Sequence, residues 1–316
     1  MRYVVTGGAG FIGSHLVEHL VTAGQEVVVL DNLLTGRIEN IAPWLDSVEL
    51  IEGSITNLRT CAKAFKDADF VLHQAALPSV PRSVRDPLAT HEANVTGTLN
   101  VLLAAYDAGV RRVVYAASSS AYGNTAALPK YEHMPPQPLS PYAASKLAGE
   151  AYLCVFHETY DLETVVLRYF NVFGPRQDPN SQYSAAIPLF ISAALSGKPP
   201  IIYGGGEQTR DFTYVTNVVH ANMLACEAPP QALGQIFNVG CGERVSVNRL
   251  WQRIRELTGG TVEAENRPAR AGEVRDSLAS LEKIQRILGY EPLVGLDEGL
   301  SHTVEFFTTA RVESAV

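Results

Sequence analysis

Short runs of aliphatic and β-branched residues alternate with longer amphipathic stretches through the first half of the chain. "RYVVT" (2–6), "EVVVLD" (26–31), "VELIEG" (48–53), "ADFVLHQ" (68–74), "RRVVYAAS" (111–118) and "LETVVLRYF" (162–170) read as strands. Helical patterns fill the intervals over 11–23, 83–109 and 140–160. Strands this uniformly apolar suit a sheet covered on both faces, and regular βαβ alternation predicts that the sheet is parallel.

After about residue 170 the pattern loosens. Pro and Gly become frequent, as in "FGPRQDPNS" and "SGKPPIIYGGGEQ", with shorter helical runs such as "AAIPLFISAAL" and "SVNRLWQRIRELTG". The expectation is a doubly wound α/β domain over 1–170 and a smaller α/β region over 171–316 that packs over the sheet and builds a cleft. Some segments around 210–240 are expected to return to the first domain.

Composition narrows the function. With 46% hydrophobic and 18% charged residues the chain has the balance of an ordinary globular protein. A formal charge of −8 leaves no basic stripe for a nucleic-acid backbone, so none is expected as partner. Cys61, Cys154, Cys226 and Cys241 are scattered without a close pair, which gives no metal motif and no disulfide framework. No apolar run approaches the roughly 18 residues that span a bilayer, and "MRYVVTGGAG" is not a signal region, so a cytoplasmic location is expected.

"TGGAGFIGSH" (6–15) joins the first strand to the first helix. Gly7, Gly10 and Gly13 allow a tight turn, close backbone approach to a pyrophosphate and close helix–strand packing, with the helix N-terminus facing the anion. Asp31 ends the second strand, 18 residues beyond Gly13, where a carboxylate meets ribose hydroxyls and repels a 2′-phosphate. The pattern predicts a Rossmann-type sheet that binds NAD rather than NADP. Tyr142 and Lys146 in "SPYAASK" stand four residues apart on one helical face, the spacing of a phenol paired with an ammonium.

Together "TGGAGFIG", "DNLLTG", "LHQAA", "SSSAYG", "YAASK" and "LRYFNVFGP" resemble the extended short-chain dehydrogenase/reductase superfamily, and within it the UDP-glucose/UDP-N-acetylglucosamine 4-epimerase type. The resemblance covers nearly the whole chain. It implies that Tyr142 is the acid/base, that Lys146 holds the nicotinamide ribose and depresses the Tyr142 pKa, and that Ser118 bonds the reacting sugar hydroxyl. It implies NAD contacts from Gly7, Gly10, Phe11, Ile12 and Gly13, from Asp31, Asn32, Thr35 and Gly36, and from Ser54 and Ile55. Gln74, Ala75, Ala76, Asn94, Tyr142, Lys146, Tyr169 and Val172 complete that set. Substrate contacts are implied for Ser79, Ser118, Ser119, Asn171, Arg210, Arg270, Glu273 and Ser277. At Ser54 the family usually places an aspartate against the adenine. Homologous enzymes are commonly homodimers, paired through helices such as 83–109 and 140–160.

Electrostatics supports the pair. Lowering a phenol from about 10 to about 7 takes roughly 4 kcal/mol. An ammonium about 5 Å away at an effective dielectric of about 20 supplies on the order of 3 kcal/mol. Ser140 as N-cap and Pro141 at the first helical position put Tyr142 in the first turn, where the helix dipole, with the oxidised nicotinamide, closes the gap.

In the resembling dehydratases an Asp-Glu pair follows the catalytic hydroxyl, and glucuronate decarboxylases carry a glutamate there; here the positions are Ser119 and Ser120. Reversible oxidation remains, which leads to C4 epimerisation of a UDP-hexose. Ser277 matches a position near the sugar C2 substituent, and its small side chain leaves room for an N-acetyl group; "LPSVPRS" (77–83) resembles the version in epimerases of N-acetylated sugars. UDP-GlcNAc/UDP-GalNAc is favoured, with UDP-glucose/UDP-galactose open. A nucleotide-sugar 4-ketoreductase and a non-catalytic dinucleotide sensor are the alternatives.

Overall fold

The structure, a computed structural model, describes residues 1–179, 186–268 and 275–313. Seven parallel strands form its centre: β1 (Arg2–Thr6), β2 (Glu26–Asp31), β3 (Val48–Glu52), β4 (Phe70–His73), β5 (Arg112–Ser118), β6 (Glu163–Tyr169) and β7 (Gln235–Val239). Their order is β7-β6-β5-β4-β1-β2-β3. The strand order reverses between β1 and β4, and a doubly wound sheet opens its ligand crevice at that point, beyond the strand C-termini.

The helices that bear on the site are α1 (Phe11–Thr22), α2 (Leu58–Ala64), α3 (Gly97–Asp107), α4 (Pro141–Tyr160), α5 (Ala186–Leu195), α6 (Val215–Cys226), α7 (Val247–Thr258) and α8 (Leu296–Glu313). Successive strand residues point to opposite faces. Val4, Val28, Val71, Val113 and Val166 pack with residues of α2, α3 and α4 in one core. Val5, Val29, Leu72, Val114 and Leu167 pack with α1 and α6 in the other. This double burial is why the strands read as continuous apolar runs rather than alternating ones.

A third core joins α5, α7 and α8 through Phe190, Ile191, Leu250, Trp251, Ile254, Leu296 and Leu300. Short two-stranded ladders, Val172–Phe173 with Thr213–Tyr214 and Thr209–Arg210 with Val245–Ser246, link this region to the sheet ends.

The helical pattern over 83–109 is not one helix. A helix over Val80–Arg85 ends before Asp86, a second covers Pro87–His91, and a π-helical turn over Glu92–Thr96 leads into α3. Pro87 has no N–H and crowds the preceding turn, and the Asp86 carboxylate accepts the Ala89 N–H at 3.0 Å, which starts a new helix there. Among the described residues no helix is long and apolar enough to cross a membrane.

Candidate active site

The glycine turn is built by close contact. Gly7 has φ +69°, and a Cβ there would fall 2.8 Å from Ala75 Cα. A Cβ on Gly13 would lie 2.8 Å from Gly7 C and Gly8 Cα, so only glycine lets α1 sit this near the strand end. Gly10 differs: its backbone is ordinary, with φ −77°, and a Cβ would meet nothing nearer than the Gly7 carbonyl at 3.1 Å. There the missing side chain leaves open space in front of the α1 N-terminus.

Asp31, at the end of β2, is buried, and its carboxylate accepts the Ala9 N–H at 3.0 Å and the Leu33 N–H at 2.8 Å. Burial pushes its carboxyl above the ordinary aspartate range, and these backbone donors pull against the shift. The loop after β2 folds over it, so that a Cβ on Gly36 would sit 2.8 Å from both carboxylate oxygens.

A cavity of about 950 Å³ opens along these elements. Gly7, Gly10, Phe11, Ile12, Gly13, Asp31, Asn32, Thr35, Gly36, Ser54, Ile55, Gln74, Ala75, Ala76, Tyr142, Lys146 and Tyr169 line it, as does Ser79. The glycine cradle at a helix N-terminus and the fixed carboxylate fit a dinucleotide. Two further residues assigned to the cofactor from sequence carry structural contacts of their own. Asn94 is buried with its amide spent on the Leu77 backbone, at 2.7 and 3.2 Å, and on the Ser145 hydroxyl at 3.0 Å. Val172 pairs with Thr213 in a short ladder.

Tyr142 lies in the first turn of α4. Ser140 accepts the Ala143 N–H at 3.1 Å and Pro141 is the first helical residue. Lys146, only 4% exposed, donates to the Ala116 carbonyl at 2.8 Å and stands 4.9 Å over the Tyr115 ring. Burial pushes the Lys146 ammonium down to about 8, opposed by Glu150.

In the protein alone burial holds the Tyr142 phenol above its ordinary range, and the Ser118 hydroxyl pulls the other way as its hydrogen-bond partner. Against the ammonium and the helix dipole stands the cost of a phenolate in a dry site. The Lys146 charge is anchored on a strand carbonyl instead. Ser118 ends β5, and its Oγ accepts from Ser120 N at 3.2 Å and Ser120 Oγ at 2.9 Å. Ser119 opens the following 3-10 turn.

Of the residues assigned to the substrate, the structure joins Asn171 and Ser277, whose side chains lie 3.2 Å apart. Asn171 also donates to the Asp211 carbonyl at 3.0 Å. Asp211 is buried and accepts N–H groups from Cys241, Gly242 and Ala279 at 2.9 to 3.0 Å, while burial pushes its carboxyl up to about 6. Arg210 donates to the backbone carbonyls of Thr209 and Arg275 at 2.9 and 2.8 Å. Arg270 and Glu273 lie outside the described residues.

Sequence reading missed Asn222. From α6 it donates to the Tyr169 hydroxyl at 2.8 Å, and Gln74 reaches both at 3.2 and 3.3 Å, so Asn222 holds two side chains that line the cavity. An asparagine on the apolar face of this helix was the available signal, because a buried amide requires partners. Arg37 and Asp178, paired at 2.8 Å, line the same cavity and were also missed.

Comparison with known proteins agrees with this geometry. The model of the NAD dependent epimerase/dehydratase family matches residues 3–240. The UDP-glucose 4-epimerase of Mycolicibacterium smegmatis is 42% identical over 312 residues, covering 97% of this chain and 98% of the relative. The Thermotoga maritima UDP-glucose 4-epimerase structure with UDP-glucose has a TM-score of 0.94 and 38% identity, covering 98% of this chain and all of that one. The UDP-N-acetylglucosamine 4-epimerase of Methanobrevibacter ruminantium, in complex with UDP-N-acetylmuramic acid, has a TM-score of 0.93 and 39% identity, covering 98% of each chain. With the glycine cradle, the buried Asp31 and the Tyr142–Lys146 helix in place, the chain belongs to the NAD-dependent epimerase/dehydratase family.

Proposed function

We propose that the chain inverts C4 of a UDP-hexose, with UDP-GlcNAc and UDP-GalNAc its main pair and UDP-glucose and UDP-galactose also used. That it is an NAD-dependent UDP-sugar 4-epimerase rests on near full-length likeness to such enzymes. The observation that carries the chemistry is Tyr142 at the wall of the dinucleotide cavity with Ser118 as its hydrogen-bond partner, followed by serines at 119 and 120. Oxidation and reduction need only the pair, whereas dehydration needs further acid/base groups.

NAD, when bound, supplies the hydride acceptor and donor and, oxidised, a positive charge that counters the burial penalty on the Tyr142 phenolate. Tyr142 takes the C4 hydroxyl proton and returns it to the same oxygen once C4 has been re-reduced on its other face, while Ser118 holds that oxygen in place. Lys146 orients the nicotinamide ribose. Residues 1–170 hold the cofactor and 171–316 the UDP-sugar, with Asn171, Arg210, Arg270, Glu273 and Ser277 as its contacts. The small buried Ser277 and Ser79 on the cavity wall support room for an N-acetyl group.

A homodimer belongs to the same reading. Val84, Leu88, Tyr106, Val155 and Tyr160 are exposed on the helices over 80–107 and on α4, Leu88 to 80%. Such an apolar face suits a helical interface between two copies.

The test is incubation of purified protein with UDP-GlcNAc or UDP-glucose without added cofactor. Both are expected to yield the C4-inverted sugar, faster for the N-acetylated one. Absence of any inverted product, with NAD confirmed bound, refutes the reading.

A further inference from the structure

Glu150 lies four residues beyond Lys146 on the same face of α4 and is 1% exposed. Both its oxygens accept from Arg168 of β6, Nε at 2.9 Å and Nη2 at 2.7 Å. Arg168 lies 4.8 Å over the Tyr122 ring, and Tyr122 donates to Asn238 of β7 at 2.7 Å. The pair is therefore clamped between helix and sheet.

Such a pair is a poor device for stability. Removing two charges from water costs several kcal/mol per ion, and apolar side chains of similar volume hold elements together at least as well. The helix already packs closely here, since a Cβ on Gly149 would lie 2.6 Å from the Tyr115 ring carbon Cζ. The pair's neighbour on the helix is the reason we assign it another role.

Lys146 sits in a dry site whose nearest supports are a carbonyl and an aromatic ring. From β4 it is faced by His73, whose ring nitrogens bond the Thr6 and Thr98 hydroxyls at 2.8 and 3.0 Å. Burial and the Lys146 charge push that imidazole down to about 3, so it is neutral. From β5 it is faced by Tyr115, whose phenol burial pushes far up. From the turn over Glu92–Thr96, Asn94 reaches the adjacent Ser145. On α4 itself stand Tyr142 and Glu150. Among these described groups Glu150 is the carboxylate, and its charge opposes the loss of the Lys146 proton.

We propose that Glu150, fixed by Arg168, is a positioning residue that keeps Lys146 in its ammonium form within the buried site. The proposal rests on the reading of Lys146 as the partner of Tyr142 and the cofactor. Arg168 holds the carboxylate on the sheet side of the helix and satisfies its oxygens, so that its charge acts on Lys146 without bonding to it.

The test uses Glu150→Gln and, because an unpaired Arg168 can unfold the chain, the double variant Glu150→Gln/Arg168→Met. Lysine 15N resonances, with Lys146 assigned by its absence in Lys146→Met, read the Lys146 titration directly. Both variants are expected to lose the Lys146 proton at lower pH than the parent. Removing the adjacent opposite charge in Glu150→Gln shifts a buried group by about one unit or more, so its turnover relative to the parent falls about tenfold at pH 9 and little at pH 6. The double variant, which loses the Arg168 cation as well, shifts the same way by less. Glu150→Asp restores the pH 9 value to within about threefold, because it keeps the charge. An unchanged Lys146 titration together with equal losses at pH 6 and pH 9 overturns the proposal. Full turnover in Lys146→Met overturns the assigned role of Lys146 instead, and the resonance titration still decides whether Glu150 sets its charge.

Discussion

Gly10→Ala separates binding from folding. The new methyl sits on an ordinary backbone, with its nearest heavy atom the Gly7 carbonyl at 3.1 Å, so the neighbour yields by a few tenths of an ångström. The stability cost is then below about 1 kcal/mol. The methyl occupies the space in front of the α1 N-terminus that the pyrophosphate needs. Two hydrogen bonds to a charged oxygen, each worth about 1.5 kcal/mol or more, are lost, which weakens NAD by at least about 3 kcal/mol, or roughly 100-fold. Gly13→Ala is the control. Its methyl meets the backbone of Gly7 and Gly8, and the fold itself loses about 3 kcal/mol or more. NAD titration by calorimetry and thermal unfolding of the cofactor-free protein measure the two effects. Parental NAD affinity in a folded Gly10→Ala variant refutes the cradle.

Three further outcomes follow from the site. Tyr142→Phe is expected to lower turnover by about 10² to 10⁴ with NAD still bound, as removal of a general acid/base does; full turnover sinks the assignment. Ser277→Tyr crowds the Asn171 contact and is expected to suppress UDP-GlcNAc turnover far more than UDP-glucose turnover, so equal losses refute the gate. Burial pushes the Asp211 carboxyl up to about 6 from the ordinary 3.8, so the folded chain holds its proton more tightly. Its contribution is full below about pH 4 and is lost as pH rises through about 6, by at most about 3 kcal/mol. The difference in unfolding free energy between the parent and Asp211→Asn, followed from pH 4 to 6.5, should carry that slope; a flat difference contradicts it.

The features legible in the sequence are local ones. The glycine turn, Asp31 at a strand end and the Ser140-Pro141 cap each lie within a few residues of the backbone they shape, and periodicity exposed the strands because both faces are buried. What was not legible depends on distant partners. Asn222 meets Gln74 across 148 positions, and Arg168 meets Glu150 across a helix–sheet contact. Asn94, assigned to the cofactor by its motif position, spends its amide on the Leu77 backbone, a partner that the motif does not reveal. The break at Pro87 was visible as a residue, but apolar periodicity on both sides masked it. The direction of the Tyr142 shift needed a measure of burial, which spacing on a helix does not give.

The most direct test of the central claim is conversion of UDP-GlcNAc deuterated at C4, in ordinary water, without added cofactor. Oxidation and return of the same hydride within one site predict a C4-inverted product that keeps its deuterium. Inversion with loss of deuterium to solvent would mean that a proton, rather than a hydride, leaves C4, and would contradict the account.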